Sequence, residues 1–244
     1  MLSKKYRVVA PDMRGYNLSD KPVGIENYKI NLLASDIAEL VKALGEKQAI
    51  IVGHDWGGAV AWAVASLFPE VVKKLGILNV PHPTEMKKAL MGFNMAQWRK
   101  SYYIFLFQLP RLPERFLGKD LKGFFTKAFT SFAPKGKTTT ITDAEITKYV
   151  EAFSQPGALT AAINYYRATF RQMGAIGGGF ARKLEMPVLM LWGEHDIALG
   201  KEMTYNTKNY CNNLELIYDP TSGHFIQHDN PDWVNEKLLG FFGK

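Results

Sequence analysis

At 244 residues the chain has the length of one compact domain with room for an insertion, and 47% hydrophobic residues supply a full core. The net charge of +7 comes from scattered Lys and Arg, with no run of five like charges, and reads as solubility rather than as a nucleic-acid partner. The single cysteine, Cys211, excludes an internal disulfide, and no Cys/His cluster has metal spacing. The N-terminal MLSKKYRVVAPD lacks the apolar run of a signal peptide, and no apolar stretch approaches a membrane span, the longest lying around Tyr102 to Phe107. These features predict a cytoplasmic protein with no membrane partner, no metal and no cofactor.

In chain order, short apolar runs bounded by turn residues predict buried parallel strands at Tyr6–Ala10, Ala49–Val52, Leu75–Leu78, Val188–Trp192 and Leu214–Tyr218. Between them, Leu33, Ile37, Leu40, Val41 and Leu44 repeat at helical spacing, with Gly45 where that helix ends. A second helix is predicted from Gly57 to about Phe68, stopped by Pro69, and a third over Trp233–Phe242. Alternating strands and helices imply an α/β fold with a mostly parallel sheet flanked by helices. From about Pro81 to Lys183 there is no convincing strand, and aromatic residues and helix formers dominate. Thr142-Asp143-Ala144-Glu145 has capping-box spacing for a helix closed by Pro156-Gly157, and Gly177-Gly178-Gly179 offers a flexible exit. The expected division is a core of residues 1–80 and 184–244 and an inserted helical lid (cap) domain of residues 81–183.

The chemistry concentrates in Val52-Gly53-His54-Asp55-Trp56-Gly57-Gly58, between an apolar strand and an Ala-rich helix. Glycines on both sides permit a sharp strand-to-helix turn that pushes the Asp55 side chain out. A helix N-cap also favours aspartate, but a cap alone does not need the flanking glycines. The Trp56 N–H, at a helix N-terminus, is placed to hold an oxyanion. A carboxylate nucleophile suits substitution at saturated carbon. It forms an ester that water can open, where serine would leave an inert ether. No G-x-S-x-G occurs, which weighs against an esterase or lipase. Asp196 and His224 each follow a predicted strand, and the order Asp55, Asp196, His224 is nucleophile, acid, histidine. Glu194 is the alternative orienting acid.

Pro11-Asp12-Met13-Arg14-Gly15-Tyr16, the Gly53–Gly58 elbow, Asn79-Val80-Pro81-His82-Pro83 and Gly223-His224-Phe225 together resemble the epoxide hydrolases of the α/β-hydrolase superfamily. The resemblance covers nearly the whole chain. It implies a small hydrophobic epoxide and water as reactants, and two lid tyrosines holding the epoxide oxygen, carried here to Tyr103 and Tyr166. Tyr102 and Tyr165 are the register alternatives, and aromatic packing in the lid is the competing explanation. Phe105 and Phe107 are the expected substrate-binding aromatics. Haloalkane dehalogenases share the His-Asp-Trp-Gly elbow and are the nearest rival; a lapsed hydrolase serving as a binding module is the other. Pro134-Lys135-Gly136-Lys137-Thr138 superficially suggests a phosphate loop, but Ser131 stands where its first glycine belongs, and an exposed lid loop is expected. Asn79–Pro83 is expected to mark the lid entry.

The sequence departs from that family at its start. No His-Gly-x-Pro turn, which supplies a second oxyanion donor, occurs, and Tyr6–Ala10 corresponds to the family's fourth strand. An N-terminally shortened form lacking the first three strands is therefore expected, with a gap beside the elbow strand because the third normally lies between the fourth and fifth.

Overall fold

The computed structural model describes residues 1–92, 95–134, 136–172, 180 and 182–243. Its sheet has four strands, β1 (Ala49–His54), β2 (Val72–Leu78), β3 (Val188–Gly193) and β4 (Leu214–Asp219), all parallel and in chain order. The two-residue repeat of a strand divides β3 between two cores. Val188, Met190 and Trp192 face one side with Leu75 and Ile77, against α1 (Ile30–Ala43) and α2 (Trp56–Leu67). Leu189 and Leu191 face the other with Val234, Leu238 and Phe241 of α11 (Pro231–Gly243). Continuous burial on both faces is why Leu75–Leu78 of β2 and the whole of β3 read as unbroken apolar runs.

The helix ends follow their sequence signals. At the end of α1, Gly45 N–H donates to Lys42 and Glu46 N–H to Val41, the paired bonds of a Schellman closure. Between β2 and β3 lie α3 (Pro83–Met91), α4 (Met95–Lys100), α5 (Tyr102–Leu106), α6 (Leu112–Leu117), α7 (Leu121–Phe132), α8 (Asp143–Ser154) and α9 (Ala158–Gln172), with no strand among the described residues of this stretch. The capping box at Thr142 forms in full: Thr142 Oγ1 accepts from Glu145 N–H, and the Glu145 carboxylate accepts from Thr142 N–H. A short α10 (Ile226–Asp229) precedes α11. The Gly177–Gly179 exit lies outside the described residues. Pro134 and Gly136–Thr138 lie outside any helix or strand, with Gly136–Thr138 exposed, and Lys135 lies outside the described residues.

One predicted element does not form. Residues 7–10 carry no strand, and Val8 and Val9 are about half exposed. An extended segment becomes a strand only by exchanging backbone bonds with a neighbour, and none lies beside it. The second edge of β1 also lacks a partner among the described residues, which leaves Val52 39% exposed. Among the described residues β1 is therefore an edge strand.

The loop after this segment seats the inserted helices. Arg14 makes a two-bonded pair with Asp36 of α1, and its carbonyl accepts from the Tyr165 hydroxyl of α9 at 2.6 Å. Gly15 lies at φ +90°, and a Cβ there would stand 2.8 Å from both Ala161 of α9 and the ring of Tyr28. Close approach and left-handed backbone both demand glycine. Gly15→Ala should therefore cost about 1–3 kcal/mol and lower Tm by several degrees in a circular-dichroism melt. An unchanged Tm would mean that α9 does not seat on this loop.

Candidate active site

The carboxyl ends of the strands gather the reactive groups. At the end of β1 the chain turns into α2 through Asp55, whose φ of +49° and ψ of −123° are strained for a residue with a side chain. Packing enforces the turn. A Cβ on Gly53 would lie 2.2 Å from the Gly57 carbonyl oxygen, and one on Gly58 2.4 Å from Val80. Gly57, by contrast, has open space around its Cα, so only two of the three elbow glycines are sterically required. Asp55 makes no side-chain cap bond to α2. Its carboxylate instead faces His224, with Oδ2 3.3 Å from Nε2.

His224 and Asp196 sit in the loops after β4 and β3. His224 Nδ1 is 2.8 Å from Asp196 Oδ2, and both residues are buried. The backbone N–H groups of Ala198 and Leu199 donate to Asp196 Oδ1, and Asn79 Nδ2 donates to Oδ2 at 2.8 Å. Glu194, the alternative acid, is paired with Lys201 at the surface instead. Burial opposes charge at each of these groups, but mutual attraction wins. Burial raises the Asp55 pKa, yet the hydrogen bond and charge of His224 hold it near 2. Burial lowers that of His224, yet Asp196 and Asp55 raise it well above the ordinary histidine value. The resting arrangement is an imidazolium between two carboxylates.

The two candidate tyrosine pairs are placed differently. Tyr103 and Tyr166 line the same cavity as Asp55 and Trp56, with ring centroids 5.8 Å apart. Burial, then neighbouring charge and phenols, raises both phenol pKa values well above normal, so both keep their protons. Tyr102 is 63% exposed on the far side of α5, and the Tyr165 hydroxyl is already bonded to the Arg14 carbonyl. Phe105 and Phe107 do not line the cavity. Phe105 packs on Trp98 and Phe170, and Phe107 on the Tyr103 and Tyr166 rings from behind. The apolar walls come from Met86, Leu90, Ile104, Phe170, Phe180 and Leu199.

Three contributors escaped the sequence reading. Asn79, fully buried with φ +42°, braces the acid loop from both ends: Nδ2 holds Asp196, and Oδ1 accepts from Gly193 N–H at 2.9 Å. Its signal was a polar residue directly after a buried strand. His54 Nε2 lies 2.7 Å from the His224 carbonyl oxygen, and burial, with the His224 charge, lowers its pKa to about 4, so it is a neutral donor there. Tyr16, quoted only within a motif, places a phenol whose pKa is raised by burial and by the Asp55 charge. His82 is not part of the cavity wall; it caps α3 through Thr84 N–H and stacks on Tyr210 at 4.1 Å. Among the described residues no cluster of three or more His, Cys, Asp or Glu could hold a metal ion.

A family profile described as alpha/beta hydrolase fold matches residues 1–231. The chain is 41% identical over 239 residues to the AB hydrolase superfamily protein YfhM of Bacillus subtilis, covering 97% of this chain and 80% of that one. It is 39% identical over 242 residues to epoxide hydrolase 4 of Mus musculus, covering 97% of this chain and 66% of that one. A crystal structure of an epoxide hydrolase variant from Bacillus megaterium superimposes with a TM-score of 0.86 at 29% identity, covering 100% of this chain and 86% of that one. The chain belongs to the α/β-hydrolase fold family, in the branch that holds the epoxide hydrolases.

Proposed function

We propose that this chain hydrolyses a small hydrophobic epoxide to a vicinal diol through a covalent ester on Asp55, with water as the second reactant. The observation that carries the proposal is the pairing of a strained, ionised Asp55 with two protonated phenols, Tyr103 and Tyr166, on one apolar cavity. Asp55 attacks a ring carbon, the carbon–oxygen bond breaks, and a phenol protonates the departing oxygen. Without that proton a strongly basic alkoxide would form in an apolar pocket. Esterification removes one of the two carboxylates that hold the His224 proton, so the imidazolium can release it and restore the phenol. Neutral His224, oriented by Asp196, then takes a proton from water as the oxygen attacks the ester carbonyl. The Trp56 N–H holds the oxyanion; its collapse expels the second diol oxygen, which takes the remaining proton of the added water, so that the diol leaves, Asp55 returns as a carboxylate and His224 as an imidazolium. A halide-releasing reaction at Asp55 would put an anion where two phenols instead match an epoxide oxygen.

The Asp55–His224–Asp196 set thus acts as a triad, with residues 81–183 as a cap over a core of 1–80 and 184–244. A cytoplasmic location is part of this reading, supported by the lone thiol Cys211, which is buried and unpaired. No helix among the described residues is long and apolar enough to cross a membrane.

Styrene oxide should give its diol with this chain, and Asp55→Ala should reduce turnover to background. With His224→Ala, mass spectrometry should find Asp55 carrying the substrate as an ester. A variant that never accumulates the adduct, with a wild-type chain that never turns over, would sink the reading in favour of a binding module. Tyr103→Phe and Tyr166→Phe should each slow ring opening by about 10²–10³.

The two half-reactions should separate by pH. Asp55 is ionised well below neutrality, and both phenols stay protonated well above it. Ester formation should therefore be flat between about pH 5 and pH 9. Ester hydrolysis needs neutral His224 and should slow as pH falls through the pKa of the esterified enzyme. Stopped-flow quenching of Trp56 fluorescence would follow the first step and product release the second. An ester-formation rate that titrates near neutrality would contradict this assignment.

A further inference from the structure

The inserted helices carry apolar surface that the fold leaves uncovered. Tyr103 of α5 and Phe107 at its C-cap turn inward onto Tyr166 of α9, while Tyr102 and Leu106, four residues apart, turn outward. In α6, Glu114 turns inward to a two-bonded pair with Arg167 of α9, while Leu112 and Phe116, again four apart, turn outward. Arg167 also donates to the Phe107 and Leu109 carbonyls, binding the intervening turn to the same helix. Both helices therefore present their outer sides on one surface, with Phe116 75%, Tyr102 63% and Leu112 58% exposed and Leu106 and Leu109 beside them. A contiguous set of this kind marks an interaction face.

Charge decides what the face fits. Residues 99–119 contain five cations (Arg99, Lys100, Arg111, Arg115 and Lys119) and one carboxylate, Glu114, already neutralised by Arg167. None of the five is in an ion pair among the described residues; Arg99, Arg111, Arg115 and Lys119 are exposed, while Lys100 is directed to the Asp196 carbonyl and leaves four cations for this face. Pairing this face with a second copy would bring like charges together. Exposed leucine and aromatic side chains among arginine and lysine suit an anionic lipid surface. The face also adjoins the reactive cavity: Ile104 of α5 lines that cavity, and its neighbour Phe105 packs on the lining residue Phe170.

We propose that the outer face of α5 and α6 docks on anionic membrane surfaces, setting the cavity beside the lipid in which hydrophobic substrates dissolve. The substrate half of this statement rests on the epoxide reading above; the docking half does not. The absence of a spanning segment, from which the sequence predicts no membrane partner, leaves such peripheral contact open.

Flotation of the full chain with phosphatidylcholine vesicles, with or without about one-third phosphatidylglycerol, tests the docking. Binding should require the anionic lipid, weaken with added salt, and fall at least about tenfold in Leu112→Glu/Phe116→Glu. That double variant should keep its turnover of dissolved styrene oxide, which controls for folding, and lose turnover of a long-chain alkyl epoxide embedded in the vesicles. Equal binding of wild type and double variant would assign the attraction to net charge alone and overturn the proposal. So would a dimer in lipid-free buffer that the double variant dissociates, since the face would then be a protein interface. Lipid binding as expected, with no epoxide turned over in either form, would overturn the substrate assignment and leave the docking standing.

Discussion

The site depends on one backbone reversal. Asp55 sits at φ +49° between a strand and a helix packed so tightly that the Gly53 Cα lies against the Gly57 carbonyl. Strain of this sort costs about 1–3 kcal/mol and persists only where the surroundings over-determine it. Here the surroundings are β1 paired along its length with β2, and α2 buried against α1 and the sheet. The result is a carboxylate lifted clear of its own helix, unable to cap it and 41% exposed toward the cavity. An ordinary N-cap aspartate would spend the same oxygen atoms on backbone donors.

His224 then converts geometry into timing. An imidazole between two carboxylates holds its proton firmly, and a base that is already protonated cannot activate water. In the proposed reaction attack by Asp55 changes this, because forming the ester deletes one of the two negative charges. The histidine thereby becomes a competent base only after the intermediate exists. Asp196 cannot release its share of the charge, since Asn79 and two backbone N–H groups hold it ionised. His54 completes the arrangement by staying neutral: a second cation packed 4.9 Å from His224 would oppose the first.

What the sequence made legible was what repeats or punctuates. The four strands, α1, α2, α11 and the capping box at Thr142 all announced themselves through periodicity, glycine, proline or cap residues. The elbow was legible because glycine spacing and an exposed acid coincide in seven residues. Tyr6–Ala10 misled because apolar alternation reports a suitable face, whereas a strand also needs a neighbouring backbone. Phe105 and Phe107 misled for a related reason. On α5, one helical turn from Tyr103 leads behind the Tyr166 ring, not into the cavity, and composition cannot tell the two apart. Asn79 and His54 were invisible as partners because their bonds cross 117 and 170 residues of chain. The choice of Asp196 over Glu194 had the same origin: both follow β3, and only the fold determines which one meets His224.

The same distinction between totals and placement governs the surface. A net charge of +7 counted along the chain looks dispersed, and so do exposed apolar residues counted one at a time. Folding sorts both. The inner sides of α5 and α6 must satisfy α9, which takes up Tyr103, Phe107 and Glu114, and the last of these also removes the one carboxylate of residues 99–119 by giving it to Arg167. What remains outside is apolar and cationic together. The requirement that builds the cavity wall therefore also determines the character of the surface behind it. Replacing Glu114 on the inner side of α6 would therefore leave the Arg167 cation unneutralised behind the outer one.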